Sequence, residues 1–385
     1  MSNESVIIEA SCPTVLQPSD RAASEGEVAM SCHDSVPSSL AAELDQLYHH
    51  IASSLCHHAV ARRARHADAH VYVARRGEQP LAIFLFERDK RSIVVFNEMM
   101  QLTSEEIERF ATYIFQRFPA VARISFSKIG GDIGTLSRPR QQYGNSEDIV
   151  VSLPRTADAY LSSLGAKTRY NIKHQMKAIA ADFPAFSFKT YEKSAIAEEH
   201  VLGLIDLKKS NIDDKRIKFG ITPEDTSWMI ALARTNGLLV VGLLDGKVCG
   251  GSLSFSLGDH YFAYVNGYDA RFAKYSLGML CCYLAMKESI GRGAREAHLL
   301  WGRNPYKFKL LGVQRDMANV DIYRSRLAYY RHVDRVIKHA LRDFIEQRKS
   351  MLLESGQQGG ARTTVAARLA KTARNIKRSI IRPHN

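Results

Sequence analysis

The chain has 385 residues, a hydrophobic content of 45% and a net charge of +13, which indicate a globular protein of about two ordinary domains and exclude a disordered or fibrous chain. No apolar run approaches the roughly 18 residues that cross a membrane, and no basic leader precedes an apolar stretch, so we expect a cytoplasmic protein. The six cysteines show no metal-ligand spacing, and we expect them to be reduced.

The first half of the chain predicts a disordered segment and then a small mixed α/β unit. Residues 1–45 are rich in Ser, Glu and Pro without a sustained period, so we predict disorder there. A helix carrying two histidine pairs then precedes a meander of three strands and, after a capping-box sequence at 103–106, a helix and a fourth strand. The predicted strands are 69–74, 81–86, 92–96 and 120–126. These elements define a first domain over 46–150.

The second half predicts the same element order. A strand ends at Pro154, and helices are predicted over 157–180, over 198–210 and from Thr222. Asp245-Gly246 between apolar runs is a strong hairpin signal, and it belongs to a second meander of three strands. These strands are 238–244, 248–256 and 260–268, followed by a helix over 277–289 and a strand over 297–301. They define a second domain over 151–323.

The order helix, three strands, helix and strand therefore occurs twice, over about 50–126 and about 200–301. We predict an α+β protein with two similar mixed-sheet domains in tandem, followed by a helical basic tail over 324–385. From Arg324 onward the chain has 15 Lys and Arg against 4 Asp and Glu. Apolar residues recur at helical spacing from Val365 to Ile380 among basic ones, a pattern that suits an anionic membrane surface. A solvated soluble helix is the alternative.

The helix that begins near residue 277 is a candidate anion site. Its unpaired backbone N–H groups and partial positive charge suit a pyrophosphate, and a glycine in the first turn permits close approach. The predicted donor-binding residues are Ser276, Leu277, Gly278 and Met279, with Arg271 and Lys274 adding charge. Many helices start with Ser-x-Gly and bind no ligand, so the pattern alone is weak.

Several runs around this helix resemble one family. They are Asn266-Gly267-Tyr268-Asp269, Tyr275-Ser276-Leu277-Gly278, Trp301-Gly302 and Tyr306-Lys307 with Gly312. They resemble the GNAT-type acyltransferase domain of bacterial proteins associated with cellulose and exopolysaccharide synthesis, which is distantly related to the Fem peptidyltransferases that build peptidoglycan cross-bridges. A further similar group is linked to resistance against antimicrobial peptides. The resemblance spans about 150–315 and implies two GNAT-like domains, an acyl-CoA co-substrate and no metal.

Four residues are candidates for the chemistry of acyl transfer. Tyr306 follows the last core strand, where GNAT enzymes often place a tyrosine that protonates the departing thiolate; a tyrosine buried at a turn is the alternative. Lys307 could neutralise a phosphate or an oxyanion, or be a solvated lysine. His298 could deprotonate the acceptor, or be a core histidine. Asp269 could orient the acceptor, or brace Arg271.

Acceptor binding is assigned to a basic helix and two aromatic residues. Lys167, Arg169 and Lys173 recur along the predicted helix and could gather an anionic acceptor, although a basic solvated face is the usual explanation of such a series. Tyr268 and Trp301 are the aromatic candidates. The pairs at 49–50 and 57–58 lack nearby carboxylate or cysteine partners, so we predict no metal site.

The leading hypothesis is therefore transfer of an acyl group from acyl-CoA to an amine or hydroxyl of a small-molecule or glycan-linked acceptor of the cell envelope. The tail could attach such an enzyme peripherally to the inner membrane. One alternative is a Fem-like transferase that takes its acyl group from aminoacyl-tRNA, the one case in which we expect nucleic-acid binding. Another is a GNAT-like binding protein that has lost catalysis.

Overall fold

A twelve-stranded sheet runs through the computed structural model, which describes residues 27–134, 136–213, 220–335 and 337–339. The strands are β1 Val28–His33, β2 Ala69–Arg76, β3 Gln79–Asp89, β4 Ser92–Val95, β5 Arg123–Ile129, β6 Arg140–Ser152, β7 Phe186–Glu192, β8 Gly237–Leu244, β9 Lys247–Leu257, β10 His260–Tyr268, β11 Glu296–His298 and β12 Val313–Tyr323. The α-helices are α1 Ala41–Tyr48, α2 His58–Ala64, α3 Ser104–Arg117, α4 Ala157–Ser163, α5 Ala166–Asp182, α6 Glu198–Asp213, α7 Pro223–Asn236, α8 Leu277–Gly291, α9 Pro305–Lys309 and α10 Arg326–Tyr330. No helix in these ranges is long and apolar enough to cross a bilayer.

The spatial order of the strands shows two similar halves. It is β1-β2-β3-β4-β5-β12-β6-β11-β10-β9-β8-β7. Neighbours are antiparallel except β4 with β5 and β10 with β11, which are parallel. Each parallel pair is connected by a helix, α3 in the first half and α8 in the second, as a parallel connection requires. The α+β prediction with a repeated element order is confirmed.

Strand β12 connects the halves. It pairs with β5 on one side and with β6 on the other, so the last strand of the chain lies in the middle of the sheet. Its Val320 and Ile322 pack in the core of the first half. The predicted domain boundary between 150 and 151 lies within β6, so a division there would cut a strand. The domain limits stay a prediction.

The second half buries apolar side chains on both faces of its sheet. Helices α6 and α7 cover one face, where Leu204 and Met229 meet Phe255 and Phe262. Helices α4 and α8 cover the opposite face, where Tyr160 packs with Leu280. Tyr261 and Ala263 of β10 therefore pack in the α8 core, whereas Phe262 between them packs in the α6 core.

Local signals predicted several element starts. Thr103 with Glu106, and Thr222 with Asp225, form complete capping boxes at the starts of α3 and α7. The helix predicted over 157–180 is instead two helices, α4 and α5, separated at Leu164, whose extended backbone ends α4. Three strands, β1, β7 and β12, were not predicted.

Two predictions about the N-terminal region need correction. Residues 27–45 were predicted to be disordered, but β1 pairs with β2 and α1 begins at Ala41; residues 1–26 lie outside the described residues. The four histidines at 49–50 and 57–58 do not share a helix. His49 ends α1 in a left-handed conformation with φ 46°, and His57 caps α2. Residues 340–385, with most of the predicted basic tail, also lie outside the described residues.

Candidate active site

Strands β10 and β11 pair over three residues only and then diverge. His260, Tyr261 and Phe262 pair with Glu296, Ala297 and His298. Beyond this point β10 continues to Tyr268, whereas the other strand stays with β6 through the bond from the Leu299 N–H to the Ile149 carbonyl at 2.7 Å. A cleft therefore opens in the sheet between Tyr264 and the turn at 299–302.

The free edge of β10 in this cleft is met by a side chain from α6. The Asn211 side-chain amide donates to the Tyr268 carbonyl at 2.8 Å, and its oxygen accepts from the Tyr268 N–H at 3.0 Å. One amide thus satisfies a donor and an acceptor that a neighbouring strand would otherwise take. Asn211 was not predicted, because an asparagine near the end of a helix carries no sequence signal for this contact.

Helix α8 begins beside the far end of β10. Asn266 donates to the Gly278 carbonyl at 3.0 Å, and a Cβ at Gly278 would lie 2.8 Å from the Tyr268 ring. Ser276 is exposed but left-handed, with φ 52°, and its hydroxyl makes no capping bond. Ser276 is nevertheless the N-cap residue of α8, and its backbone carbonyl accepts from the Met279 and Leu280 N–H groups at 2.9 and 3.1 Å. Leu277 and Gly278 are buried, whereas Ser276 is exposed and Met279 is partly exposed, so two of the four predicted helix-start residues present surface here.

The two predicted cations near this helix are each paired with a carboxylate. Arg271 binds Asp269 through its guanidinium at 2.7 and 2.9 Å, and Lys274 lies 3.2 Å from Asp182. The Arg271 hydrogen bonds hold the pKa of Asp269 below its usual range. Of the two roles weighed for Asp269, the structure shows the bracing of Arg271. Both cations near the start of α8 are therefore paired with carboxylates.

Tyr306 lies at the start of α9 and packs against the α8 side of the sheet. Burial raises the pKa of its phenol, and the neighbouring thiol of Cys282 on α8 raises it further. Tyr306 therefore keeps its proton and can donate a hydrogen bond. The loop that holds Tyr306 and helix α8 are thus neighbours, as the acyl-transfer hypothesis requires.

Lys307 is buried and holds the strand end in place. Its ammonium donates to the carbonyls of Leu299, Leu300 and Trp301 at 2.6, 3.1 and 2.6 Å. Burial lowers its pKa to about 8. All three N–H donors are occupied, so neither predicted role, anion binding or a solvated surface lysine, matches its position.

The predicted acceptor-binding residues lie on two separate surfaces. Lys167 and Lys173 are exposed on α5, whereas Arg169 donates to the Ser162 carbonyl at 2.7 Å and thereby braces the turn between α4 and α5. Trp301 is 55% exposed at the mouth of the cleft, edge-on to Tyr264, with the Lys128 ammonium 5.8 Å from its ring. Tyr268 lines the same cleft and contacts Gly278.

A cluster of histidines and carboxylates lies on the α6 face of the sheet, at the last paired positions before the cleft. His298 Nδ1 lies 2.6 Å from Asp148 Oδ2, and His298 Nε2 lies 3.0 Å from His260 Nδ1. Glu296 binds Arg315 through two hydrogen bonds of 2.7 and 3.1 Å. Burial would raise the pKa of Asp148, but hydrogen bonding to His298 and His50 holds it well below its usual range.

The segment after α1 covers this cluster. His49 stacks on His260 with 5.1 Å between ring centroids, and His50 Nε2 lies 3.6 Å from Asp148 Oδ2. His57 instead binds the Tyr264 hydroxyl at 2.9 Å. Burial lowers the pKa of both His50 and His260. An aspartate that orients a histidine can hold or move a proton, and imidazoles with a carboxylate can also bind a cation.

Of this cluster, only His298 was predicted. Asp148 and His260 were read as strand residues, and Glu296 lies one position before the strand predicted over 297–301. The available signal was the presence of these polar residues within or beside otherwise apolar strands. The pairing of β6 with β11 brings residues 148 and 298 together across 150 positions of sequence. No local sequence pattern predicts a contact between residues so far apart in the chain.

Comparison with known proteins agrees with this geometry. Residues 166–308 match the family described as Acetyltransferase (GNAT) domain. These residues form a GNAT acetyltransferase domain. This match over 166–308 agrees with the predicted GNAT-like acyltransferase activity. Comparison with curated proteins found no match.

Among solved structures, FemX is 11% identical with a TM-score of 0.52, covering 68% of this chain and 89% of FemX. L-PGS from Bacillus licheniformis is 14% identical with a TM-score of 0.42, covering 66% and 85%. A tandem GNAT protein from the clavulanic acid biosynthesis pathway is 10% identical with a TM-score of 0.41, covering 77% and 98%. The likeness to FemX shows a shared fold, and the predicted α+β GNAT fold is confirmed.

Proposed function

We propose that this GNAT domain transfers an acyl group from an acyl-CoA thioester to an amine or hydroxyl of a cell-envelope or polysaccharide-related acceptor. The observation that carries the proposal is the divergence of β10 and β11 beside the start of α8. The thioester would enter this cleft, and its pyrophosphate would lie at the helix end near Ser276 and Met279.

The residues around the cleft fit this chemistry. The acceptor nitrogen or oxygen forms a bond to the acyl carbon, the C–S bond breaks, and the net reaction moves the acceptor's proton to the thiolate. Tyr306 keeps its proton and lies beside α8, so it can donate to the sulfur. Lys307 binds the carbonyls of 299–301 and would thereby stabilise the turn that borders the cleft.

The acceptor class rests on the resemblance to proteins of exopolysaccharide synthesis and to the Fem enzymes. Exposed Lys167 and Lys173 on α5 and the aromatic surface at Trp301 are the proposed acceptor contacts.

Peripheral attachment to the inner membrane is proposed for the basic tail. A chain ending at Gly360 should then sediment less with anionic vesicles than the full chain does, and equal sedimentation of the two would remove this role.

Calorimetric titration with acetyl-CoA and with longer acyl-CoAs tests the donor site. The wild type should bind at least one of them, and Gly278→Trp should not, because its side chain would displace Tyr268. Gly278→Ala should weaken binding by a smaller factor, because its single Cβ still meets the Tyr268 ring. Gly291→Trp, at the other end of α8 where a Cβ meets nothing within 4 Å, is the matched control.

Two results would reject the acyl-CoA donor. One is a folded wild type that binds no acyl-CoA, and the other is equal binding by the wild type and a folded Gly278→Trp variant. Binding of charged tRNA by that same wild type would favour the Fem-like alternative, for which the net charge of +13 is an asset.

A further inference from the structure

We infer that His260, His298 and Glu296 form a binding site for one divalent transition-metal ion of the Zn²⁺ class. His260 Nδ1 and His298 Nε2 are 3.0 Å apart, and each lies 3.7 Å from Glu296 Oε2. Tetrahedral Zn²⁺ holds nitrogen and oxygen ligands at roughly 2.0–2.2 Å, which places ligand atoms about 3.4 Å apart. The distance between the two histidines is shorter than this value, and the two distances to Glu296 are longer.

Each histidine of the proposed site has a carboxylate near its other ring nitrogen. His298 places its Nδ1 2.6 Å from Asp148 Oδ2, which leaves the Nε2 lone pair facing His260 and Glu296. The Nε2 of His260 lies 3.4 Å from Asp259 Oδ1, which leaves its Nδ1 facing the same point. Carboxylates that fix the tautomer of a ligating histidine in this way are typical of metal sites.

The charges of the cluster favour a cation. Asp148 and Glu296 are carboxylates, and Arg315 is the guanidinium that binds one of them. Asp148 is almost completely buried, so its negative charge needs a compensating positive charge close by. A dication between the two histidines supplies that charge.

A neighbouring set, His50, Asp148 and His298, does not form the site. The 2.6 Å between Asp148 and His298 is a hydrogen-bond length and is too short for two ligands of one ion. His50 Nδ1 accepts from the Ala52 N–H at 3.1 Å, so its Nε2 carries the proton and cannot bind a metal. The Nε2 proton of His50 therefore faces Asp148, at 3.6 Å, and His50 contacts the carboxylate that binds His298.

The proposed ion would lie at the edge of the core. His298 is buried, whereas the side chains of His260 and Glu296 are 14% and 22% exposed. Three protein ligands leave a fourth position open on the solvent side for water or for an oxygen of a bound molecule, as in catalytic zinc sites. With the ion bound, His298 Nε2 would be a ligand and not the base that the sequence predicted. The inference does not depend on the identity of the acyl donor.

The test is metal binding by the full-length protein after chelator treatment and dialysis. Titration with Zn²⁺ followed by calorimetry, and with Co²⁺ followed by visible absorption, should show one ion per chain and the intense bands of tetrahedral Co²⁺. His260→Ala and Glu296→Gln should each weaken binding by at least about 10-fold, and Asp148→Asn by roughly 10- to 100-fold. His57→Ala is the matched control, because that imidazole contacts Tyr264 and none of the three ligands.

Circular dichroism of each variant shows that it is folded. Absence of Zn²⁺ and Co²⁺ binding by the folded wild type would overturn the inference, and so would unchanged affinity in folded Glu296→Gln. In that outcome the contact of 3.0 Å is a hydrogen bond between two histidines of a metal-free cluster. The readout is independent of acyl-CoA titration, so failure of one proposal leaves the other standing.

Discussion

At the scale of single residues, burial decides what a charged side chain can do. Lys307 follows an exposed tryptophan and a proline turn, and in sequence it has the same appearance as Lys309 on the same helix. It is nevertheless only 4% exposed, because the turn at 299–302 directs three carbonyl groups inward. Leu300 and Gly302 have φ values of 56° and 95°, and these conformations produce the turn. The turn places the three carbonyls around the Lys307 ammonium, and the hydrogen bonds from that ammonium stabilise the turn.

Replacing Lys307 with methionine should therefore destabilise the protein. The substitution keeps most of the apolar stem and leaves three carbonyls without their donor. We expect the free energy of unfolding to fall by about 2–4 kcal/mol, measured by urea denaturation. Lys309→Met, which alters an exposed lysine on the same helix, should change it by less than about 0.5 kcal/mol. Equal effects of the two substitutions would contradict this account.

At the scale of elements, the short pairing of β10 with β11 creates the cleft. Three residues of each strand pair, and the chain after His298 remains hydrogen-bonded to β6. The edge of β10 that becomes free is then contacted by Asn211 at Tyr268. A strand edge without such a contact would leave backbone groups to water or to a ligand.

Asn211→Ala should expose this edge. We expect the Tyr268 amide to exchange hydrogen with solvent faster, because its acceptor at 3.0 Å is removed. Hydrogen exchange followed by mass spectrometry on peptides covering β10 measures the change. Asn236→Ala is a suitable control, because that side chain contacts the Ser256 carbonyl on β9 instead. Similar exchange at β10 in both variants would show that Asn211 does not protect the strand.

At the scale of the whole molecule, β12 joins the halves into one sheet. Val320 belongs to the second half by sequence, but its side chain lies in the core of the first half with Phe84 and Phe126. It is paired with Phe126 of β5 and with Gln142 of β6. Loss of packing at Val320 should consequently destabilise both halves.

Val320→Ala should lower the free energy of unfolding by about 1–3 kcal/mol through a cavity in the first half. Both tryptophans, Trp228 and Trp301, belong to the second half, and their fluorescence reports on that half and on its contacts with Cys56 and Lys128. We expect fluorescence and circular dichroism to give one coincident transition at a lower denaturant concentration. Val313→Ala, on the same strand but 66% exposed, should leave the midpoint unchanged. A fluorescence midpoint that does not move in V320A would show that the halves unfold separately.

Features of the fold and the site that depend on local contacts were predictable from the sequence, whereas features that depend on distant contacts were not. Both meanders and the capping boxes at Thr103 and Thr222 were predicted, because turn residues and caps act within a few positions of sequence. The region of the cleft was also found, through the runs at 266–278 and 301–312. The strands β1, β7 and β12 were missed, because their partners are distant in sequence and their burial alternates weakly.

The sequence by itself determined the element order, the α+β class and the resemblance that points to acyl transfer, because each of these depends on local patterns of apolar, turn and capping residues. Only the tertiary structure decided that Lys307 is buried, that β12 lies between β5 and β6, and that Asp148, His260 and Glu296 gather around His298. The physical reason is that strand pairing joins residues far apart in the chain. Hydrogen bonds, charge and burial at those positions then depend on partners that no local pattern specifies.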